Sequence, residues 1–223
     1  MDQLIERADG GITDDSLLSI KNKDINKLQF NNDFTAEIGK PKVTSQKLKS
    51  EETTNGTVID TYVGFGYVDL AIKLNKSNLK LANDIEDIEL DPTLGARLWI
   101  KIYYTHSDAD RNGIHYELFD IIKTESSLTR LDGTYTLVSL YFSTFYQSYY
   151  YNDSNATTWL GSRWSSDERT VNSPSSGSIY TLNNTDSYWY DVYPDAMYIT
   201  AYCSGTLRRG TDTWSFPLQI DIN

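Results

Sequence analysis

Apolar and polar residues alternate along most of the chain after residue 57. The alternation covers the segments 67–74, 97–104, 115–122, 197–203 and 214–222, and a run of β-branched and aromatic residues covers 135–142. Successive side chains of a β-strand point to opposite faces, so a period of two rich in Val, Ile, Thr, Tyr and Trp predicts strands. We therefore expect each of these segments to form a strand.

Short turn signals lie between the predicted strands: Asn55-Gly56, Asn112-Gly113, Asp132-Gly133, Ser204-Gly205 and Arg209-Gly210. Pairs such as Asn-Gly favour the tight turns that join antiparallel neighbours. The sequence after residue 57 contains no convincing long amphipathic helix. The pattern predicts an all-β fold, namely a single antiparallel β-sandwich or jelly-roll-like domain over residues 57–223. Within it, Pro217 predicts an edge strand or a bulge.

Residues 1–56 have a different character and predict a polar N-terminal arm. Residues 1–50 carry eight basic and eight acidic residues, and their apolar residues are scattered. Asp14-Asp15-Ser16 is a candidate cap for a short helix over residues 17–25. We expect the arm to lie either against its own domain or against a neighbouring subunit, and the sequence leaves both alternatives open.

A second unusual segment, residues 143–194, is rich in Ser, Asn, Asp and Tyr and poor in aliphatic residues. Insertions of this length in compact domains commonly carry function or form an interface. Short strands are expected at 178–182 and 187–192. We predict an aromatic binding surface in this segment, formed by Tyr149, Tyr150, Tyr151, Trp159, Trp164, Tyr188, Trp189 and Tyr190.

Composition excludes several classes of partner. The 223 residues carry a net charge of −11, which argues against a nucleic-acid binder because phosphate contacts need clustered Lys and Arg. No apolar run approaches the length needed to cross a bilayer, so no membrane insertion is expected. Cys203 is the only cysteine, which excludes an intrachain disulfide and a zinc site built on several cysteines.

The best local motif for chemistry is the segment Asp108-Ala109-Asp110-Arg111-Asn112-Gly113-Ile114. Oxygens of Asp108, Asp110 and Asn112, with the carbonyl of Ile114, match the first half of a calcium loop. The twelfth position, which supplies a bidentate carboxylate in an EF-hand, is Phe119. The motif therefore predicts either a looser calcium site in a β-hairpin or, as the preferred interpretation, a polar hairpin tip around Asn112-Gly113 that needs no ion.

The two histidines of the chain, His106 and His115, flank this motif, and Glu117 follows closely. Two histidines and a carboxylate are ligands that suit a transition metal. We interpret them as ordinary strand residues, because nothing in the sequence orients a third ligand. Cys203 lies in an alternating strand pattern like a core residue, and no nucleophile motif is present, so we expect no catalytic residues and no enzyme.

The acidic run from Asp84 to Asp91, which ends at Pro92, is interpreted as a solvated connection. A docking surface for a basic partner is its alternative interpretation.

Together these features predict a non-enzymatic structural or interaction protein. The leading hypothesis is a subunit of a larger assembly, such as a virion capsid, decoration or tail component, whose partners are other protein subunits including copies of itself. The support is a C-terminal half that is rich in aromatics and lacks Lys beyond Lys123, since protein interfaces show that bias.

The alternative is an extracellular glycan-binding module, stabilised by calcium, in which the aromatic residues stack on sugar rings. A sandwich-type hydrolase ranks last. Residues 1–7 do not resemble a secretory signal, so we expect a virion or extracellular assembly reached without one in the sequence as given.

Overall fold

The computed structural model describes residues 1–20, 27–29, 34–74, 93–184, 187–192 and 198–222. These residues are mostly β-strand, with one short helix and a single antiparallel sheet of 13 strands that does not close on itself. The elements are α1 (Asp2–Asp9), β1 (Leu18–Ile20), β2 (Lys27–Gln29), β3 (Phe34–Ile38), β4 (Lys42–Glu52), β5 (Val58–Leu74), β6 (Thr93–Arg111), β7 (Ile114–Arg130), β8 (Thr136–Tyr151), β9 (Trp159–Asn172), β10 (Tyr180–Asn183), β11 (Trp189–Asp191), β12 (Tyr198–Arg209) and β13 (Asp212–Ile222).

The sheet folds over itself into two packed layers, so the predicted all-β, sandwich-like fold is confirmed. Layer A contains β2, β3, β4, β5, β6, β7 and β10, and layer B contains β1, β13, β12, β8 and β9. The short strand β11 pairs with β7 of layer A and β8 of layer B, and it thereby joins the layers along one side.

The main core lies between the layers and uses the inward face of each long strand. Ile100 and Ile102 on β6 and Phe142 and Phe216 on β8 and β13 are completely buried there. The layers approach closely where an inward position is glycine. A Cβ atom on Gly205 of β12 would lie 2.9 Å from Leu128 Cδ1 of β7, which is closer than packed carbon atoms tolerate. Ser204-Gly205, which was predicted as a turn, therefore lies within β12, and Gly205 is the position where the two layers come close.

Turns at the other four predicted positions are confirmed. Asn112 and Gly113 have φ angles of 53° and 77°, which is the left-handed backbone required by a two-residue hairpin turn. Gly56 and Gly210 also adopt positive φ angles, at the turns between β4 and β5 and between β12 and β13. Pro217 lies in β13. On the side of β13 away from β12, the described residues show pairing with β1 at Ile220–Ile222 only.

Residues 1–56 are joined to the two layers wherever the structure describes them. Strand β4 pairs with β5 from Lys42 to Glu52, and β1 pairs with the end of β13. The Asp15 side chain is buried and accepts a hydrogen bond of 2.6 Å from the Tyr104 hydroxyl in the core. Asp15 also accepts a hydrogen bond from the Leu17 backbone. Its carboxylate therefore forms a turn that leads into β1, so residues 18–20 are strand where the short helix was expected, and residues 21–25 of that prediction lie outside the described residues.

Helix α1 covers the outer face of layer A. Its buried residues Leu4 and Ala8 are one turn apart and pack on Phe65, Tyr67 and Trp99, which point outward from β5 and β6. Beyond the helix C-terminus the chain is anchored to β4, because the Arg7 guanidinium donates 2.6 Å and 2.9 Å hydrogen bonds to Asp14 and to the Ser45 carbonyl. This face of the sandwich is therefore closed by the chain itself.

The segment 143–194, which was predicted as an insertion, consists largely of β-strands where the structure describes it. The long strands β8 and β9 form a hairpin, and β10 and β11 lie at 180–183 and 189–191, close to the short strands expected from the sequence. Among the described residues, no helix has the length and apolar character needed to span a membrane.

Candidate functional site

The outer face of layer B carries a stripe of aromatic side chains with no helix over it among the described residues. Strand alternation places Tyr141 and Phe145 of β8 on this face, beside Trp164 of β9 and Tyr198 and Tyr202 of β12. Trp164 is the most exposed large hydrophobic residue of the described chain, with 77% of its surface accessible. The other four rings of the stripe are half-buried.

The rings of this stripe touch but do not lie in one plane. Phe145 meets Trp164 edge to face, with centroids 6.1 Å apart and an interplanar angle of 86°. Tyr141 and Tyr202 are 6.0 Å apart and inclined by 59°. Sugar rings stack on flat platforms, whereas inclined rings make the ridges and pockets that another protein surface fills.

Strand β9 borders this face and pairs with β8 alone among the described strands. Its far edge therefore presents backbone N–H and C=O groups that a further strand can bind. The strand contains Arg163, Asp167, Glu168 and Arg169, and these charges sum to zero in a chain with a net charge of −11. Glu168 also accepts a 2.9 Å hydrogen bond from the Tyr141 hydroxyl.

The eight predicted surface aromatics are divided among three environments. Trp164 and Tyr149 lie on the open face, and Trp159, at the start of β9, is 63% exposed. Tyr150 packs against the core, and the exposed Tyr188 contacts its ring at 5.1 Å between centroids.

The prediction that Tyr190 and Tyr151 belong to a surface is wrong. Tyr190 is fully buried and stacks on Tyr146 at 4.7 Å, because β11 inserts it between the layers. Tyr151 is buried at the end of the sandwich, in a cluster that also contacts Trp189.

The aromatic residues that sequence analysis missed on this face are Tyr141, Phe145, Tyr198 and Tyr202. They belong to strands predicted correctly, and the missing information was which of the two alternating sets faces outward. The set with Leu140 and Phe142 lies in the core, and the alternation alone does not say which set meets the opposite layer.

The expected calcium segment forms a straight hairpin. Arg111 and Ile114 pair across the two-residue turn, and Asp108 and Asp110 point to the same face of the extended strand β6. A calcium loop must instead curl so that successive oxygens converge on one ion. Asp108, Asp110, Asn112 and the Ile114 carbonyl therefore form the hairpin tip that was the preferred interpretation, and they are not curled around a common point as the calcium alternative requires.

The same hairpin brings together a different set of groups. Asp108 lies opposite Glu117, and Asp110 lies opposite His115. The His115 Nε2 atom is 3.9 Å from Asp108 Oδ1 and 3.9 Å from Glu117 Oε1. One potential ligand atom from each of Asp108, His115 and Glu117 lies within 4.8 Å of the other two. Asp108 is thus a further candidate metal ligand, which sequence analysis did not place beside His115 and Glu117.

This His–carboxylate cluster, which also includes His106 and Asp110, borders an open cleft of about 600 Å³. The cleft forms where β5 and β6 diverge after their last pair, Asp60 and His106. Residues 155–157 close one side, held by hydrogen bonds from the Arg111 guanidinium to the Ala156 and Thr157 carbonyls. A buried Asp60 oxygen and the His106 Nε2 atom, which has no hydrogen bond, line this cleft.

Two further titratable groups show shifts with structural causes. Burial raises the pKa of the Cys203 thiol strongly, so this side chain is a neutral core residue rather than a nucleophile. Burial also raises the pKa of Asp120 to about 6. Asp120 points to the outer side of β7, away from the inward-facing Phe119 and Ile121.

No family model matches the chain, and no curated protein or solved structure matches it significantly. The acidic run from Asp84 to Asp91, considered as a docking surface, lies outside the described residues.

Proposed function

We propose that this protein is a non-enzymatic structural subunit that assembles with further copies of itself through the open face and edge of layer B. The observation that carries the proposal is the exposure of Trp164 at the end of an aromatic stripe, next to the free edge of β9. We propose that the assembly is part of a virion, with this protein as a capsid, decoration or tail component.

The physical support is the cost of leaving such a surface in water. Burial of apolar area contributes roughly 25 cal/mol per Å², and Trp and Tyr are enriched among the residues that dominate interface energies. Layer A has comparable aromatics, but helix α1 covers them. Layer B lacks such a cover among the described residues, so a second molecule is the natural source of one.

Charge favours a copy of the same chain at this edge in particular. Two molecules with net charge −11 repel each other over most of their surfaces. The charges of strand β9 sum to zero, so this repulsion is weakest along its edge. Antiparallel edge pairing around a two-fold axis would then add backbone hydrogen bonds to aromatic burial.

Glycan binding is the second candidate, because Ser143, Gln147 and Thr200 lie between the aromatic rings of the same face. Rings interleaved with hydrogen-bonding groups are common in sugar-binding sites. The interplanar angles of 86° and 59° make the face a poor flat platform for a sugar chain. We therefore place glycan binding after assembly.

Static light scattering of the full chain over a range of concentrations tests the proposal. We expect a mass that rises above the 25.4 kDa monomer in the wild type and a much smaller rise in Trp164→Ser. Leu48→Ser is the matched control, since Leu48 is 51% exposed but lies on β4 of layer A. A wild type that stays monomeric at every concentration would overturn the self-assembling form, and a glycan array with and without calcium would then test the second candidate.

A further inference from the structure

The hairpin of β6 and β7 carries a second feature that the proposed subunit contact does not use. Asp108, His115 and Glu117 point into one small volume beyond the end of the hydrophobic core, on the inner face of layer A. From this arrangement we propose that the hairpin binds one divalent transition metal ion of the zinc class, with these three side chains as ligands and His106 as the fourth.

The distances suit such an ion. The His115 Nε2 atom lies 3.9 Å from an oxygen of each carboxylate, and the His106 Nε2 atom lies 3.3 Å from Asp108 Oδ1. Zinc–ligand bonds of about 2.0–2.2 Å separate neighbouring tetrahedral ligands by roughly 3.3 Å. Small side-chain rotations on two paired strands therefore bring the atoms of Asp108, His115 and Glu117 to bonding distance, with His106 Nε2 beside Asp108 as the candidate fourth ligand.

A neighbouring carboxylate orients the central ligand. The His115 Nδ1 atom is 3.1 Å from Asp110 Oδ1, and in the tautomer that carries its proton on Nδ1 the ring donates to Asp110 while the Nε2 lone pair faces Asp108 and Glu117. Histidine ligands of metals are commonly held by such a carboxylate, which fixes the tautomer and makes the nitrogen more basic. Asp110 is therefore a positioning residue.

The register creates an electrostatic cost that a cation would remove. Asp108 and Glu117 are direct cross-strand partners, and like charges in such positions destabilise a hairpin. Asp110 adds a third carboxylate on the same face. A divalent ion held between the carboxylates would convert this repulsion into attraction.

His106 provides independent evidence for a ligand. Its ring stacks on Phe119 with centroids 4.5 Å apart and planes inclined by 1°, so the ring orientation is fixed. The side chain is mostly buried, and its Nε2 atom has no hydrogen-bond partner. A buried polar nitrogen that makes no hydrogen bond is costly, and coordination to a metal shared with the neighbouring Asp108 would satisfy it.

The donor set discriminates between metals. Two imidazole nitrogens and two carboxylates suit zinc and its first-row neighbours, whereas calcium prefers six to eight oxygens. The inference thus differs from the calcium loop expected from the sequence in both the metal and the ligands. It does not depend on the proposed self-assembly.

Titration calorimetry of the full chain, free of any histidine tag, with zinc chloride tests the inference. We expect one zinc ion per chain and an affinity that falls at least tenfold in His115→Asn and in Asp110→Asn. Glu168→Gln removes a carboxylate on layer B and should leave the affinity unchanged. Excess calcium should not displace the zinc.

A spectroscopic readout identifies the ligands directly. Cobalt(II) in place of zinc should give the visible absorption of a tetrahedral site in the wild type, and this absorption should be lost in His115→Asn and weakened in His106→Asn. Circular dichroism establishes that the variants fold. Equal zinc affinity in the wild type and a folded His115→Asn variant, or binding of calcium in preference to zinc, would overturn the inference.

Discussion

The two outer faces of this sandwich both carry aromatic residues, but those on layer A are buried and Trp164 on layer B is exposed. On layer A, Phe65, Tyr67 and Trp99 point outward and are buried, because helix α1 lies over them. On layer B, Phe145 and Trp164 point outward, and Trp164 remains 77% exposed. An aromatic outer face is thus compatible with a stable chain when something covers it, and among the described residues only layer A has such a cover.

The anchoring of the helix sharpens this contrast. At its C-terminus, Asp9 accepts a hydrogen bond of 2.6 Å from Lys42 and another from the Tyr67 hydroxyl. The hydrogen bond from Lys42 is the largest cause of a lowered pKa at Asp9. These groups fix one end of the cover to β4 and β5. No element of the described chain makes an equivalent contact with the outer face of layer B.

The largest effect is expected from Trp99→Ala on the covered face. Trp99 is only 4% exposed, so its removal leaves a cavity under α1 and should lower the free energy of unfolding by about 3–5 kcal/mol. Urea denaturation measures this change. A loss below about 1 kcal/mol would mean that α1 does not seal this face in solution.

The next effect concerns the segment that follows the helix. Asp15→Ala removes the acceptor of the buried Tyr104 hydroxyl and should destabilise the chain by about 2–3 kcal/mol. Tyr104→Phe in the same background provides the control. The double variant should lose less stability than the sum of the two single variants, because both remove one interaction. Strict additivity would contradict docking of residues 13–17 on the core.

Asp120 gives a pH-dependent test on the outer side of layer A. Burial raises its pKa to about 6 in the folded chain, above the ordinary value of 3.8 for an aspartate. Between these two values the folded state holds a proton that the unfolded state has lost, so this group makes stability fall as the pH rises from about 4 to about 6. Asp120→Asn should remove that slope and stabilise the chain at pH 7 by on the order of 2 kcal/mol.

Thermal melts at pH 4, 5, 6 and 7 check this prediction. Asp132→Asn is the control, since Asp132 lies in the exposed turn after β7. A wild type and an Asp120→Asn variant with parallel pH profiles would show that Asp120 is not buried in its acid form.

The smallest effect on the isolated molecule is expected from Trp164→Ala. An exposed surface residue changes the stability of a monomer by no more than about 0.5 kcal/mol. The informative result is therefore the difference between Trp99→Ala and Trp164→Ala, measured at a concentration where the chain is monomeric. A large loss of stability in Trp164→Ala under those conditions would mean that the chain itself covers layer B.

Much of the fold was predictable from the sequence, because a period of two identifies strands locally. Helix α1 was not, because its buried contacts rest on Leu4 and Ala8 alone in an otherwise polar segment. The outward aromatics were missed because alternation divides a strand into two faces without saying which one meets the core. That choice depends on the opposite layer, which the sequence pattern does not contain.

The His–carboxylate cluster could have been predicted from the sequence. A two-residue turn at Asn112-Gly113 fixes the register of both strands, so Asp110 must lie opposite His115 and Asp108 opposite Glu117. Counting outward from the turn would have found the third ligand. The same count also places His106 opposite Phe119, because the bulge in β7 between the partners of Tyr103 and Tyr104 lies farther from the turn.

The central claim is that the outer face of layer B is covered by another copy of the chain. Hydroxyl-radical footprinting at low and high protein concentration tests it most directly, with Trp99 and Leu48 as internal references. The account predicts that Trp164 is oxidised readily when dilute and protected when concentrated, while Trp99 stays protected and Leu48 stays reactive throughout. Equal oxidation of Trp164 at every concentration would contradict it.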